Sequence, residues 1–271
     1  MFTRLSYGIF IPLIFIGIFI AFIAASEYIH RGDLDGLEDA QPLPAAIKLA
    51  SLLDGDPDPA VLIGAGDISV CGLDGDNRTA LLIERLLAIF PQAQLFTVGD
   101  NAQLIGEMYE YTDCFGPTWG RYLDRLHPSP GNHDWYTERG TAYFSYFGGQ
   151  AGDYGRGYYS YDLGGWHIIS LNSNCDGINC GRCTLSGCGT DTVQLEWLQK
   201  DLEEHPNECT LLYWHHPLRT SGIVPVTDNA EPFWRAAAEA GADVVVNGHD
   251  HHYVRFTPLD ADGNPDPENG M

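Results

Sequence analysis

Basic residues are scarce in this chain. Lys and Arg number 14 against 37 Asp and Glu in 271 residues, a formal net charge of −23. A surface that negative repels polyanions, which argues against a duplex nucleic-acid binder. Internal repeats and low-complexity tracts are absent, so solenoid and collagen-like architectures are excluded. Charged residues make up only 19% of the chain while 44% are hydrophobic and 12% aromatic, too apolar for a disordered chain. This length can bury one large α/β core or two smaller ones.

The N-terminus stands apart. Arg4 precedes a nearly continuous apolar run from Ile9 to Ala25, and small residues follow at Ala24, Ala25 and Ser26. At 17 residues the run is at the short edge of a bilayer span. Residues 1–26 therefore read as a secretory signal peptide or an uncleaved signal anchor, with the remainder extracytoplasmic: secreted, periplasmic or at the cell surface. Residues 27–59 read as an acidic, proline-containing spacer. They carry one short amphipathic turn near Ile47–Leu53. Of seven cysteines, four fall at Cys175, Cys180, Cys183 and Cys188; the others are Cys71, Cys114 and Cys209. In an exported chain, disulfides that staple a loop are favoured over a zinc knuckle at Cys180-x-x-Cys183, although the odd number leaves one thiol over.

The pattern from residue 60 onward alternates strands and helices. Buried strands are expected at Ala60–Gly66, Gln94–Val98, Thr210–Trp214 and Ala242–Val246. Helices are expected at Arg78–Phe90 behind an Asp76/Asn77 cap, and at Asp191–Glu204 with Asp191 as cap and Gln194 at the capping-box position. A third is expected at Pro232–Ala240. Gly164-Gly165 marks a hairpin between Tyr158–Asp162 and Trp166–Leu171. The fold class is α/β with a mixed sheet system.

The chemistry concentrates directly after the strands. There stand Asp67, then Gly99-Asp100-Asn101, Gly131-Asn132-His133-Asp134, His215-His216, and Asn247-Gly248-His249-Asp250-His251-His252. Ligands of open α/β sheets bind where the carboxyl ends of strands gather, so these five loops are expected to converge. Asp, Asn and His together suit a divalent transition metal such as zinc, iron or manganese. His216 and His252 are each open between contact with a bound ligand and a structural hydrogen bond. His127 and His167 read as structural, His30 as part of the spacer and His205 as a helix end.

The series Asp67, GDN (99–101), GNHD (131–134), YWHHP (213–217) and NGHDHH (247–252) resembles the calcineurin-like metallophosphoesterase superfamily. The intervening FGPTWGRYLDRLHPSPGNHD, GRGYYSYDLGGWHIISLNSNC, QLEWLQKDL and FWRAAAEAGADVVVNGHDHHYVRF look like its bacterial extracytoplasmic branch related to purple acid phosphatases. The resemblance covers about residues 60–257. It implies a two-sheet β-sandwich flanked by helices, four layers in the order α/β/β/α.

It also implies two transition-metal ions, Fe, Zn or Mn. One would be held by Asp67, Asp100 and His251, the other by Asp100, Asn132, His215 and His249, with Asp100 shared. A metal-activated hydroxide would attack phosphorus. His133 would protonate the leaving group or stabilise the phosphate charge, and Asp134 would orient His133. The sequence departs from the family at Ser69, where many members have His, and at Gln103, where the purple acid phosphatase branch has a ligating Tyr. Tyr109 or Tyr111 could stand in for that phenol. Family members usually continue past the last histidine motif with further strands, so residues 60–271 are expected to be a metallophosphoesterase domain lacking its last strands.

The implied function is hydrolysis of small phosphate monoesters, with no nucleic-acid partner and no membrane contact beyond an uncleaved anchor. The alternatives are a phosphodiesterase or nucleotide pyrophosphatase, and a catalytically silent metal-binding surface domain.

Overall fold

A computed structural model of the chain describes residues 60–174, 192–206, 209–222 and 230–271, and the backbone alone of Ile18–Phe22. The acidic spacer, the cysteines between Cys175 and Cys188, Asp191, and the N-terminal run apart from Ile18–Phe22 lie outside the described residues.

Two four-stranded sheets carry the fold. The first contains β1 (Ile18–Phe22), β2 (Ala60–Ala65), β4 (Gln94–Val98) and β6 (Leu126–Ser129), in that spatial order and wholly parallel. Part of the N-terminal apolar run thus lies as an edge strand against β2. The second contains β10 (Val244–Asn247), β9 (Cys209–Trp214), β8 (Trp166–Ser170) and β7 (Tyr159–Leu163), again in spatial order. Here β10, β9 and β8 are parallel, and β7 returns antiparallel to β8 across Gly164-Gly165. A parallel pair of two-residue strands, β3 (Ser69–Val70) and β5 (Ala102–Gln103), joins the loops that leave β2 and β4.

The layers follow from which faces are apolar. Leu62, Phe96 and Val98 of the first sheet pack on Trp166, Ile168, Leu211 and Tyr213 of the second, with the Phe96 and Tyr213 rings 5.1 Å apart. The outer face of the first sheet buries Ile63 and Leu95 under Ile83 and Leu86 of α1 (Gly75–Ile89). Two short helices, α2 (Asn132–Trp135) and α3 (Thr141–Phe147), add Trp135, Tyr143, Phe144 and Phe147 to the same core. On the far side, Leu195 and Leu198 of α4 (Val193–Glu204) and Phe233 of α5 (Glu231–Glu239) cover Ile169, Leu212 and Trp214. Each such side chain contributes about 1.5–3 kcal/mol on burial, an upper estimate against a compact unfolded chain. The observed order is α/β/β/α. Beyond α5 the polar C-terminal stretch folds back: Leu259 and Met271 exchange backbone hydrogen bonds, and Trp234 Nε1 donates to the Asp260 carbonyl.

Element ends depart from the sequence expectation where side chains find longer-range partners. Helix α1 begins at Gly75 rather than Arg78, because buried Asp76 accepts from Ser69 Oγ and Thr118 Oγ1 and lies inside the first turn instead of capping it. Thr192, not Asp191, caps α4, its Oγ1 accepting from the Leu195 amide. Gln194 makes no capping box. Its side-chain amide pairs with both backbone groups of Asn172, just beyond β8.

His127 and His167 are structural, as expected. His127 stacks on Tyr161 at 3.9 Å and sits 3.2 Å from Gln94 Oε1, and burial pushes its pKa down to about 4. His167 lies between two carboxylates, with Nδ1 2.8 Å from Asp162 and Nε2 2.9 Å from Asp201. Burial alone would lower its pKa, but the two carboxylates outweigh burial and raise it. A histidine whose pKa is raised on folding stabilises the fold fully below its unfolded value near 6.5, and the benefit fades as pH climbs through the folded value. Urea unfolding should therefore show His167→Gln destabilised more at pH 6 than at pH 9. An equal loss at both pH values would remove the ionic contribution.

Candidate metal centre

The rim is built by the ends of five strands. β2 leads to Asp67, β4 to Asp100, β6 to Asn132, β9 to His215, and β10 to His249 and His251. Three backbone features turn the side chains inward. Asp67, Asp100, His249 and His251 all have positive φ, between 48° and 74°. This left-handed region costs about 1–2 kcal/mol per residue, and among side-chain-bearing residues Asp, Asn and His tolerate it best. Second, Gly99 has φ 93°, and a Cβ there would collide with the His215 ring; a Cβ at Gly131 would collide with the Asp100 carboxylate. Third, the loops are stitched together. The Asp67 and Ile68 amides donate to Gly99 and Asp100, and the His249 amide donates to Asp67 Oδ2.

His215 is the hub. Its Nδ1 lies 2.8 Å from the Val98 carbonyl, which can only accept, so Nδ1 carries a proton and Nε2 is the nitrogen that faces the cluster. Around Nε2 stand Asn132 Oδ1 at 3.0 Å, His249 Nδ1 at 3.1 Å and Asp100 Oδ2 at 3.3 Å. Donor atoms held about 2.0–2.1 Å from a tetrahedral cation lie about 3.3 Å from each other. The three distances from Nε2 therefore fit ligands of one metal ion. So does the chemistry: a carboxylate oxygen, an amide oxygen and two imidazole nitrogens converge, and a positive charge belongs among them, a proton on His215 Nε2 or a metal ion that replaces it. Nearby, Asp67 Oδ1 is buried without a hydrogen-bond partner and lies 3.2 Å from His251 Nε2. Ligand atoms of Asp67, Asp100 and His215 all lie within 4.8 Å of one another. Asp100 thus stands between the Asp67–His251 pair and the Asn132–His215–His249 set.

Charge follows the same geometry. Burial would raise the Asp100 carboxyl, but His215 against it holds it well below the usual carboxylate range. Burial would lower His215, but Asp100 lifts it to about 9. His249 and His216 are both lowered, first by burial and then by the neighbouring His215.

His133 sits at the edge of this group. Its Nδ1 donates to the Leu104 carbonyl at 2.8 Å, and its Nε2 lies 3.8 Å from Asp100 Oδ2. Asp134 does not orient it, contrary to the sequence expectation. The Asp134 carboxylate is fully buried and accepts from the amides of Gly131, Asn101 and Ala102, the Asn101 side chain and the Tyr111 hydroxyl. It locks the Asp100 loop to the Asn132 loop. Burial, then the Asp100 charge, lifts its pKa to about 6.

Tyr111 is thereby committed to Asp134, Tyr109 is exposed, and Gln103 is buried in β5. Ser69 bonds Asp76 rather than the rim. His216 lines the rim and is also hydrogen-bonded: its amide donates to Ser173 Oγ, its Nδ1 lies 2.8 Å from that oxygen, and its ring is 4.7 Å from His249. His252 bonds the Asp250 carbonyl and Ser221, on the exposed side.

Three contributors escaped the sequence reading. Tyr136 accepts from Asn132 Nδ2 at 3.1 Å, which leaves Asn132 Oδ1 facing His215. The i, i+4 spacing on α2 would have flagged that pair. Asn101 bonds the Ser129 carbonyl and belongs to a motif already singled out. The Leu104 carbonyl that holds His133 has no sequence signal. A second histidine–carboxylate group, His167, Asp201 and His205, lies at the other end of the second sheet, where His167 is already engaged by both its carboxylates.

Two stacked sheets between helices, with Asp, Asn and His gathered at the carboxyl ends of their strands, define a metallophosphoesterase domain. The sequence model of the calcineurin-like phosphoesterase family matches residues 29–253, and the chain belongs to that family. No curated protein matches the sequence. Among solved structures, a purple acid phosphatase isolated from yellow lupin (Lupinus luteus) seeds is similar at 16% identity and a TM-score of 0.41. The match covers 79% of this chain and 34% of that one, so the chain spans about a third of its length.

Replacing Asp134 by Asn puts an amide donor among five donors. Metal affinity, read by calorimetric titration with zinc or manganese, should fall about 10–100-fold, the usual effect of losing a partner behind the ligands. Unchanged affinity would show that the lock is dispensable.

Proposed function

We propose that the chain is a metal-dependent hydrolase of small phosphate monoesters acting outside the cytoplasm. The single observation that supports this most is the gathering of Asp67, Asp100, Asn132, His215, His249 and His251 around one shared carboxylate, with His133 Nε2 turned toward it. Asp67, Asp100 and His251 would hold one Fe, Zn or Mn ion, and Asp100, Asn132, His215 and His249 a second. Bound there, such ions supply Lewis acidity and lower the pKa of a coordinated water toward about 7.

The chain's own residues do the rest. The Val98 carbonyl keeps the His215 proton on Nδ1, so Nε2 stays available as a ligand. Tyr136 fixes the amide of Asn132. The His133 amide donates to Asp100 Oδ1 at 2.8 Å, leaving Oδ2 for the cleft. The Leu104 carbonyl accepts from His133 Nδ1, so Nε2 faces the cleft. As the ester P–O bond breaks and a hydroxide, formed from water whose proton has gone to solvent, bonds phosphorus, His133 in its imidazolium form would pass the Nε2 proton to the departing alkoxide. The acidic surface disfavours long polyanionic substrates. The Cys71–Cys114 disulfide supports an oxidising, extracytoplasmic setting.

Asp100→Asn is the decisive variant. Asn tolerates the left-handed backbone at this position, so the fold should survive. Turnover of p-nitrophenyl phosphate should drop on the order of 10²–10³-fold or more, with the circular dichroism spectrum unchanged. Wild-type turnover in this variant would refute the role of Asp100. Faster hydrolysis of bis-p-nitrophenyl phosphate than of the monoester by the unaltered protein would move the assignment to a phosphodiesterase.

A further inference from the structure

Beside His133 the surface is apolar, and nothing derived so far uses it. Leu104, Ile105, Met108, Tyr109 and Tyr136 are all exposed, Leu104 to 56%. They form one lip, because the two segments that carry them are bound together. Thr137 Oγ1 donates to the carbonyls of Ile105 and Gly106, His133 Nδ1 donates to the Leu104 carbonyl, and the Tyr136 ring meets the His133 ring edge-on at 5.1 Å. A Cβ at Gly106 would collide with the His133 carbonyl, so the backbones are in direct contact.

The lip is also held rigid. Fully buried Glu110 accepts from the Ile105 and Glu107 amides, and the Cys71–Cys114 disulfide anchors the turn that follows it. Leu104 itself has φ 115°, a backbone state that a branched side chain adopts only when its surroundings force it. An ordered, strained loop that displays leucine, isoleucine, methionine and tyrosine to water points to a contact, since a floppy loop could fold these side chains away.

We propose that this lip is the leaving-group subsite, and that the substrates are phosphate monoesters of uncharged aromatic or otherwise apolar alcohols. The proposal rests on the phosphomonoesterase reading above. Its occupant follows from position. The lip borders the rim directly, since the Tyr136 hydroxyl accepts from Asn132 Nδ2 and its ring meets that of His133. With the phosphate at the rim, the carbon chain of an ester that leaves on this side meets the Tyr136 ring and the Leu104–Tyr109 segment. Exposed Glu107 on the same segment disfavours anionic leaving groups such as nucleoside phosphates.

The test compares phenethyl phosphate with ethyl phosphate, whose leaving alkoxides differ little in basicity, using the full manganese-loaded chain and an Ile105→Ser/Met108→Ser variant. Both positions are exposed and their backbone hydrogen bonds are kept. The unaltered protein should prefer the phenethyl ester in kcat/KM by about tenfold or more, and the variant should lose most of that preference. Ethyl phosphate turnover should stay within about twofold. Binding of phenethylphosphonate and ethylphosphonate by calorimetry should show the same contrast without any turnover. No preference in the unaltered protein, or a preference the variant keeps, overturns the lip. A dimer in sedimentation that the variant dissolves, with no ligand preference, also overturns it and makes the lip an interface between copies. Phosphonate preference without hydrolysis of either ester would leave the lip standing and sink the hydrolase reading instead.

Discussion

Among the hydrogen bonds that join the two halves of the rim, one governs its chemistry: His215 Nδ1–H, at the end of the second sheet, donates to the Val98 carbonyl at the end of the first. It spans 117 residues of sequence and does two things at once. It brings the end of β9 within reach of Asp100 and Asn132, and it decides which nitrogen of His215 is free. With Nδ1 committed to Val98, Nε2 faces Asn132 Oδ1, His249 Nδ1 and Asp100 Oδ2 at 3.0 to 3.3 Å. Asp100 draws a positive charge to that point, a second proton on the ring or a metal ion in its place.

The rest of the local structure holds these ligand groups close together. Without support, the loops would relax by swinging Asp67, Asp100 or His249 outward into ordinary backbone conformations. The left-handed φ values show that they do not. Asp134 opposes the relaxation from below, drawing Gly131, Asn101, Ala102 and Tyr111 onto one carboxylate. Glycines 99 and 131 allow the closeness, because any side chain there would occupy the place of His215 or Asp100. Rigidity at this rim comes from the cores beneath it, where β2 and β4 are covered on both faces.

Much of this was legible in the sequence, for a physical reason. A parallel strand covered on both faces is predominantly apolar, so the acidic or histidine residue that first follows it marks its end, and those residues are Asp67, Asp100 and His215. The β4 strand matched residue for residue, and β9 to within one. What was not legible depends on contacts that no spacing encodes. Asp134 follows His133 in sequence, yet its side chain turns the other way to serve three backbone amides. Gln194 has the position of a capping residue, but the end of β8 passes close enough to claim it. Leu104 acts through its carbonyl, a group every residue possesses, so nothing in its identity announces the role. The tyrosine missing at position 103 was likewise not replaced by its neighbours, since Tyr111 had already been taken by Asp134.

The Leu104 segment connects two functions that are usually argued apart. Its carbonyl accepts from His133 Nδ1, and on the proposed reading its side chain with those of Ile105 and Met108 forms the surface past which the leaving group travels. The same five-residue span is fixed from beneath by Glu110 and from the side by Thr137. A loop that moved to accommodate a bulkier or more polar alcohol would also move the carbonyl and release the His133 ring. On the proposed reading, recognition of the leaving group and delivery of its proton are coupled through one backbone. A poorly fitting alcohol would then be penalised twice, once in contact area and once in proton position, which would give a small exposed patch more discriminating power than its area alone carries.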